Sequence, residues 1–185
     1  MLFGGRRRRA MRILMVLISD ADTRHPTPPP VLQFERFLAP YYLFLDAGAE
    51  IVLASLTGGD PAMRTASGER SDATPVMRRF LADQIAREAL IDTLGIDQVD
   101  AGDFDGAFCI GVSGGIWPPR VDNPAAAMIG HLLAAGKPVA VIPSQLDINP
   151  QGVGGGLLIA GDQTIASSGV ARALLAAIRS SAPLA

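Results

Sequence analysis

Two short segments of the sequence have the residue patterns that would do chemistry in an α/β enzyme. Gly111 to Gly115 reads GVSGG and formally matches G-x-S-x-G, the turn that presents a nucleophilic serine between a strand and a helix. The other segment is PVAVIPS, a buried strand that runs into a turn at Pro143 and Ser144. In many α/β enzymes the first residue of such a turn is the nucleophile, but proline has no nucleophilic atom.

The GVSGG segment is interpreted as a glycine turn at the end of a strand rather than as a nucleophile elbow. An elbow needs a helix directly after the serine, because the helix aims the hydroxyl and supplies amide donors for an oxyanion. Here IWPPR follows Gly115, and Pro118 and Pro119 prevent a helix from starting there. A phosphate-binding loop fits equally poorly, since the segment lacks the Gly-Lys-Ser/Thr ending.

The other reactive side chains are few. His25 lies in a proline-rich loop and His131 in a helical segment, and neither has a cysteine or carboxylate at ligand spacing, so no metal or other cofactor is predicted. Cys109 lies inside an apolar strand and is interpreted as a buried small hydrophobe rather than a reactive thiol. Trp117, just after the glycine turn, either covers core or forms the wall of a pocket.

Alternating strands and helices are predicted to position these segments. Segments rich in apolar residues, typical of strands buried on both faces, occupy residues 11–18, 49–56, 104–111, 138–142 and 157–160. Helical spacing of apolar residues occurs over 32–47, 76–94, 124–135 and 168–178, with Gly48 and Gly136 as helix stops. Residues 57–75 are rich in Gly, Pro, Ser and Asp and are predicted to leave the sheet. This alternation predicts a doubly wound parallel α/β sheet in one domain, residues 11–180.

Composition indicates a globular protein of the cytoplasm. Hydrophobic residues make up 49% and charged residues 18%, which is too apolar for a disordered chain. The net charge of −2 provides no field for nucleic acid, no apolar run reaches membrane-spanning length, and a single cysteine fits a reducing compartment. Arg6 to Arg9 are interpreted as part of a disordered basic tail over residues 1–10, not as a targeting or RNA-binding patch, and Met11 is an alternative first residue.

Four longer segments resemble the ThiJ/PfpI family, a branch of the class I glutamine amidotransferase-like superfamily. They are FERFLAPYYLFLDAGAEIVLASLTGGDP, TPVMRRFLADQIAREALIDTLGIDQVDAGDFDGAFCIG, AAGKPVAVIP and the closing GGLLIAGDQTIASSGVARALLAAI. The nearest subgroup contains heat-shock chaperones and glyoxalase III proteins. The resemblance covers about Met11 to Ile178 and implies a flavodoxin-like fold and a role in the stress response.

The resemblance also implies that the family's chemistry has been lost. The family uses a cysteine after the fourth strand, a histidine next to it and a carboxylate on the first helix. Aligned on GKPVA, the cysteine and histidine positions hold Pro143 and Ser144. The carboxylate of the family stands four residues before the proline of APYY, a position that holds Arg36. Glu35 is adjacent to Arg36 but points about 100° away around a helix, and Ser113 stands where histidine is common in the family's glycine turn.

A catalytically degenerate protein is therefore the first functional hypothesis. It would bind a small metabolite or a protein partner, without a cofactor, in a remnant of the family's pocket. The residues predicted to line that pocket are Asp20, Glu35, Arg36, Gly111, Ser113, Gly114, Trp117, Pro143 and Ser144.

Two other functions stay open on the sequence. One is a glyoxalase, deglycase or amidase-like hydrolase with relocated chemistry, built from residues such as Ser113, Ser144, Cys109 and Asp147. The other is a holdase chaperone, suggested by the subgroup alone.

The segment SQLDINPQGVGGG replaces a longer stretch of the family, so the sheet is predicted to be one strand short. The side of the sheet that this leaves exposed is predicted to be covered in a homodimer.

Overall fold

The helices and strands are those of a computed structural model, which describes residues 9–18, 32–61, 63–64, 74–111, 124–142, 156–160 and 167–181. The strands in these ranges are β1 (Arg12–Leu17), β2 (Leu32–Gln33), β3 (Glu50–Ser55), β4 (Met63–Arg64), β5 (Leu94–Gly95), β6 (Gly106–Ile110), β7 (Val139–Ile142) and β8 (Leu158–Ala160). The helices are α1 (Phe34–Asp46), α2 (Pro75–Ala82), α3 (Gln84–Ile91), α4 (Pro124–Ala134) and α5 (Ser167–Ser181), with single 3-10 turns at Ile96–Gln98 and Ala101–Asp103.

The main sheet has six strands in the order β5-β3-β1-β6-β7-β8, all paired in parallel. Leaving out the two-residue β5, the five longer strands follow the chain order 2-1-3-4-5, which is the flavodoxin-like order. The predicted doubly wound parallel α/β fold is therefore confirmed. Sequence patterning missed β5 in this sheet, as well as β2 and β4, because two residues are too few to show a periodicity.

Alternate residues of β1 supply the cores on the two faces of the sheet. Ile13, Met15 and Leu17 pack in the cluster that contains α1 and α5, whereas Leu14 and Val16 pack in the cluster that contains α4. Side chains of a strand point alternately to the two faces, so a strand covered by helices on both sides must be apolar throughout. This explains why the run from Ile13 to Ile18 shows no polar alternation.

The predicted helix over 76–94 is wrong in two respects, because it is two helices and because the second ends at Ile91, before Leu94 pairs in β5. The chain leaves helical geometry at Asp83, which has φ −94° and ψ 97° and lies between α2 and α3. The Asp83 amide donates to the Phe80 carbonyl and its carboxylate accepts from the Ala86 amide, so one residue ends α2 and begins α3.

The glycine stops are confirmed. Gly48 follows α1 with φ +78° and Gly136 follows α4 with φ +76°, the left-handed geometry that glycine adopts without a steric penalty.

The excursion predicted at 57–75 contributes β4, which pairs in parallel with β2 directly before α1. Of the predicted basic tail, residues 1–8 lie outside the described part of the chain, and Arg9 donates to the Asp103 carbonyl at 2.8 Å. Among the helices that the structure describes, none is long and apolar enough to cross a bilayer.

Candidate functional site

The chain reverses direction across the sheet between β1 and β6. From β1 it continues to β3 on one side of the sheet, and from β6 it continues to β7 on the other side. In open parallel sheets, ligands bind outside the carboxyl ends of the strands at such a switch point. The candidate site is therefore the edge beyond Ile18 of β1 and Gly111 of β6.

Backbone hydrogen bonds join the strand ends at this edge. The Ile18 amide donates to the Ile110 carbonyl at 2.9 Å, and the Gly111 amide donates to the Ile142 carbonyl at 3.2 Å. Ile110 and Ile142 are partners in the register of β6 and β7. The two segments singled out by the sequence, GVSGG and the turn at Pro143, consequently leave the sheet from neighbouring strands at one edge.

The strand ends that reach the site are apolar. Ile18, Ile110, Gly111 and Ile142 are all buried. These residues contribute apolar side chains and backbone hydrogen-bonding groups to this edge, but no acid, base or nucleophile.

Cys109 is the one thiol of the chain and lies one residue before the end of β6. Its side chain has no exposed surface and packs in the core cluster on the α4 face. Burial raises the pKa of this thiol to about 12, because the thiolate would have to form away from water. The interpretation of Cys109 as a buried hydrophobe is in keeping with this position, and reactive thiols have the opposite surroundings.

Arg36 lies in the first turn of α1 and is half-buried. Because β1 and β3 are parallel neighbours with α1 between them in the chain, α1 runs back along the sheet and begins at its carboxyl edge. Arg12 and Lys137, which are also half-buried, both donate to carboxylate or carbonyl oxygens. The Arg36 side chain has no hydrogen-bond or ion-pair partner within the described part of the chain.

The structure describes only some of the residues that were predicted to line the pocket. Gly111 and Arg36 both belong to the carboxyl edge of the sheet, one at the end of β6 and one at the start of α1, and the backbone of Glu35 lies next to Arg36 in α1. The other predicted pocket residues, Asp20, Ser113, Gly114, Trp117, Pro143 and Ser144, lie outside the described residues, as do His25 and Asp147. The mutual arrangement of these side chains stays a prediction.

His131 is exposed on α4 and thus takes no part in the core. Within the ranges that the structure describes, no three His, Cys, Asp or Glu side chains come together in a way that could hold a metal ion.

Sequence reasoning missed a chain of polar contacts that joins α1 to α2 and α3. The Tyr42 hydroxyl donates to Asp83 Oδ2 at 3.2 Å, and the guanidinium of Arg79 lies 4.0 Å from the centre of the Tyr42 ring. Arg79 also donates two hydrogen bonds to the Asp46 carboxylate, at 2.6 and 2.8 Å. The available signal was Asp83 itself, a residue that favours helix caps over helix interiors.

The electrostatics of this chain of contacts follow from its geometry. Burial and the neighbouring negative charge of Asp83 hold the pKa of Tyr42 far above its ordinary value, so its hydroxyl stays a donor. The hydrogen bonds from Arg79 hold the pKa of the Asp46 carboxyl below its usual value. These residues lie in the helical layer and connect helices to each other.

Comparison with known proteins shows similarity in structure alone. No protein-family model matches the chain, and no curated protein matches it in sequence. The Rapid Encystment Protein 24 kDa (REP24) of Francisella tularensis superposes with a TM-score of 0.64 and 14% identity, covering 91% of this chain and 99% of that one. Glyoxalase III of Candida albicans superposes with a TM-score of 0.55 and 14% identity, covering 90% and 97% of the two chains.

A further crystal structure, which carries no functional description, superposes with a TM-score of 0.66 and 17% identity and covers 93% of this chain and 99% of its own. Identities this low show a shared fold and leave the chemistry of the site open. The prediction that the sheet is one strand short of the family stays a prediction. The chain thus shares a flavodoxin-like α/β fold with these three structures.

Proposed function

We propose that this chain is a ligand-binding protein without the catalytic chemistry of the ThiJ/PfpI family, and that it binds a small metabolite at the carboxyl edge of the sheet between β1 and β6. The observation that carries the proposal is the chemistry of this edge. Its described strand ends are apolar and buried. The only thiol of the chain, Cys109, lies one residue before the end of β6, where it is fully buried and has a pKa of about 12.

Three further features support binding without turnover. The switch point is where sheets of this topology bind ligands, whatever their chemistry. The resemblance to the family puts Pro143, Ser144 and Arg36 at the positions of the cysteine, histidine and carboxylate that the family's chemistry requires. A thiol mechanism needs a nucleophilic sulfur at the turn, and neither a proline ring nor a buried thiol supplies one.

The competing function is a hydrolase or lyase with relocated residues. One observation is a reason to test for this activity: a glyoxalase III is among the proteins that share this fold. Such an activity would have to use Ser113 or Ser144 as the nucleophile, and it would need a base that the described strand ends do not contain.

Binding and turnover can be tested on the same purified full-length protein. A library of small metabolites is screened by amide chemical-shift changes in a ¹⁵N-labelled sample, while methylglyoxal, glycated amines and amides are offered as substrates. We expect at least one compound to shift the amides of Ile18, Gly111 and Arg36, and no substrate to be consumed. Gly102 is the internal control, since it lies in the 3-10 turn before β6 at the opposite edge.

The substitution Arg36→Gln tests the part of the site on α1. Arg87→Gln is the matched control, because Arg87 is an exposed arginine of α3 whose side chain has no described partner. We expect Arg36→Gln to weaken binding of the selected compound and Arg87→Gln to leave it unchanged. Turnover that disappears on replacing Ser113 or Ser144, or labelling of either serine by a fluorophosphonate, would show the hydrolase instead.

A further inference from the structure

The break between α2 and α3 separates two apolar pairs that a continuous helix could not bury together. Met77 and Phe80 of α2 and Ala86 and Leu90 of α3 are all buried in one core cluster. At 3.6 residues per turn, the mean directions of these two pairs would lie about 130° apart on an unbroken helix. The break at Asp83 turns the second pair toward the same core.

The broken form leaves other apolar side chains in solvent. Ile85 is 78% exposed and Ile91 is 58% exposed, both on α3. On an unbroken helix over 75–91, Ile91 would point within about 10° of the mean direction of Met77 and Phe80. On an unbroken helix Ile91 would therefore replace Leu90 on the face that carries Met77 and Phe80, which is a second way of arranging the same apolar pattern.

Local sequence favours the unbroken form. No glycine or proline occurs from Val76 to Ile91, and α3 consists largely of good helix formers. Asp83 is the exception, since aspartate is a poor residue for a helix interior and a good one for an amino-terminal cap. Asp83 is thus the residue on which the preference between the broken and the unbroken helix depends.

Contacts to α1 favour the broken form. The Asp83 carboxylate accepts from the Ala86 amide at 3.0 Å with one oxygen and from the Tyr42 hydroxyl at 3.2 Å with the other. Tyr42 is only 3% exposed, so its hydroxyl would lose its partner away from water if Asp83 turned outward. Arg79 stacks on the Tyr42 ring and is itself paired with Asp46, which orders the ring.

We infer that residues 75–91 form a two-state element, and that the Tyr42–Asp83 hydrogen bond holds it in the broken form. The second state is a continuous helix in which Asp83 is helical, Leu90 turns out of the core and Ile91 turns in. The two states present different apolar side chains on the surface, so any ligand or partner that distinguishes them shifts their populations. This inference does not depend on the proposed function.

The test is nuclear magnetic resonance of the full chain carrying Asp83→Ala. This change removes both contacts and supplies the best helix former at the break. We expect the ¹³Cα shift at position 83, the residue that is non-helical in the broken form, to move to a helical value and the Ile91 side chain to become protected. Asp92→Ala is the control, because Asp92 is exposed at the end of α3 and its side chain makes no hydrogen bond or ion pair with described residues.

A folded Asp83→Ala protein that keeps a non-helical ¹³Cα shift at position 83 would overturn the inference, since packing alone would then maintain the break. If Asp83→Ala does not fold, Tyr42→Phe decides, because it removes only the hydroxyl and keeps the ring beneath Arg79. We expect exchange of the Ala86 amide to become about fivefold faster, the factor that corresponds to one lost hydrogen bond. Unchanged exchange in Tyr42→Phe would overturn the inference as well.

Discussion

The Gly111 amide donates a hydrogen bond to the carbonyl oxygen of Ile142 across 3.2 Å, at the last described residues of two neighbouring parallel strands. The next residues along the chain are Val112 of the GVSGG turn and Pro143. Two segments that lie far apart in the sequence therefore depart from adjacent points of the same edge. This contact is the structural basis for treating them as parts of one site.

Pro143→Cys is expected to yield no glyoxalase activity. The new thiol would lack a carboxylate partner, because the resemblance puts Arg36 at that position, and Ser144 cannot replace an imidazole as base. A nearby arginine lowers a thiol pKa, so alkylation by iodoacetamide should increase without turnover. Conversion of methylglyoxal by the single variant, measured against the unmodified protein, would contradict this prediction.

Cys109 should not react in the folded protein. With a pKa of about 12, only about one thiol in ten thousand is ionised at pH 8, and the side chain has no exposed surface. We expect no colour with a thiol-reactive disulfide reagent under native conditions and one equivalent in denaturant. Stoichiometric labelling of the folded protein within minutes would show that β6 opens or that the thiol is not enclosed.

Stability should fall in alkaline solution, in part because of the same thiol. The folded-state pKa is raised from 9.0 to about 12, so the unfolded chain loses its proton first as the pH increases. The contribution of the Cys109 thiol to the free energy of unfolding is fully present below pH 9 and is lost progressively between pH 9 and pH 12. Urea unfolding over this pH range should show that the free energy of unfolding declines more steeply for the native protein than for Cys109→Ala. Parallel declines in the two proteins would contradict this prediction.

Two glycines should respond oppositely to alanine. A Cβ at Gly106 of β6 would lie 2.8 Å from the Pro138 carbonyl oxygen and 2.9 Å from Ile178 Cδ1, so Gly106→Ala should destabilise the protein by about 1–3 kcal/mol. Gly130 lies inside α4, where an added Cβ would meet no described atom within 4 Å beyond its own helix backbone. Gly130→Ala should therefore stabilise the protein by about 0.5–1 kcal/mol. Denaturant unfolding measures both, and equal effects would contradict the packing at Gly106.

A homodimer is expected in solution. The segment from Ser144 to Gly156 is shorter than the corresponding part of the family in the resemblance, and a parallel sheet needs cover on both faces. Two-fold association is the commonest way to provide such cover. Light scattering at micromolar concentration should give about twice the 19.3 kDa mass of one chain, and a mass near 19.3 kDa would refute the dimer.

The site was only partly predictable from sequence. Apolar runs and glycine turns located the ends of β6 and β7 in the chain, because buried parallel strands have a distinctive composition. Their adjacency depends on strand order, which is decided by contacts between residues far apart in sequence. For Arg36, sequence located the residue, whereas its half-buried position without a described partner follows from packing around α1.

The sequence by itself determined the alternating α/β architecture, since strands such as 11–18 must be covered on both faces and Gly48 and Gly136 must end helices. Tertiary structure alone decided the break at Asp83. Periodicity over 76–94 is compatible with one helix, because local propensity contains no information about where the core lies. The break turns Leu90 toward the same core as Phe80, and the hydroxyl of Tyr42 on α1 supplies Asp83 with a partner that sequence spacing could not reveal.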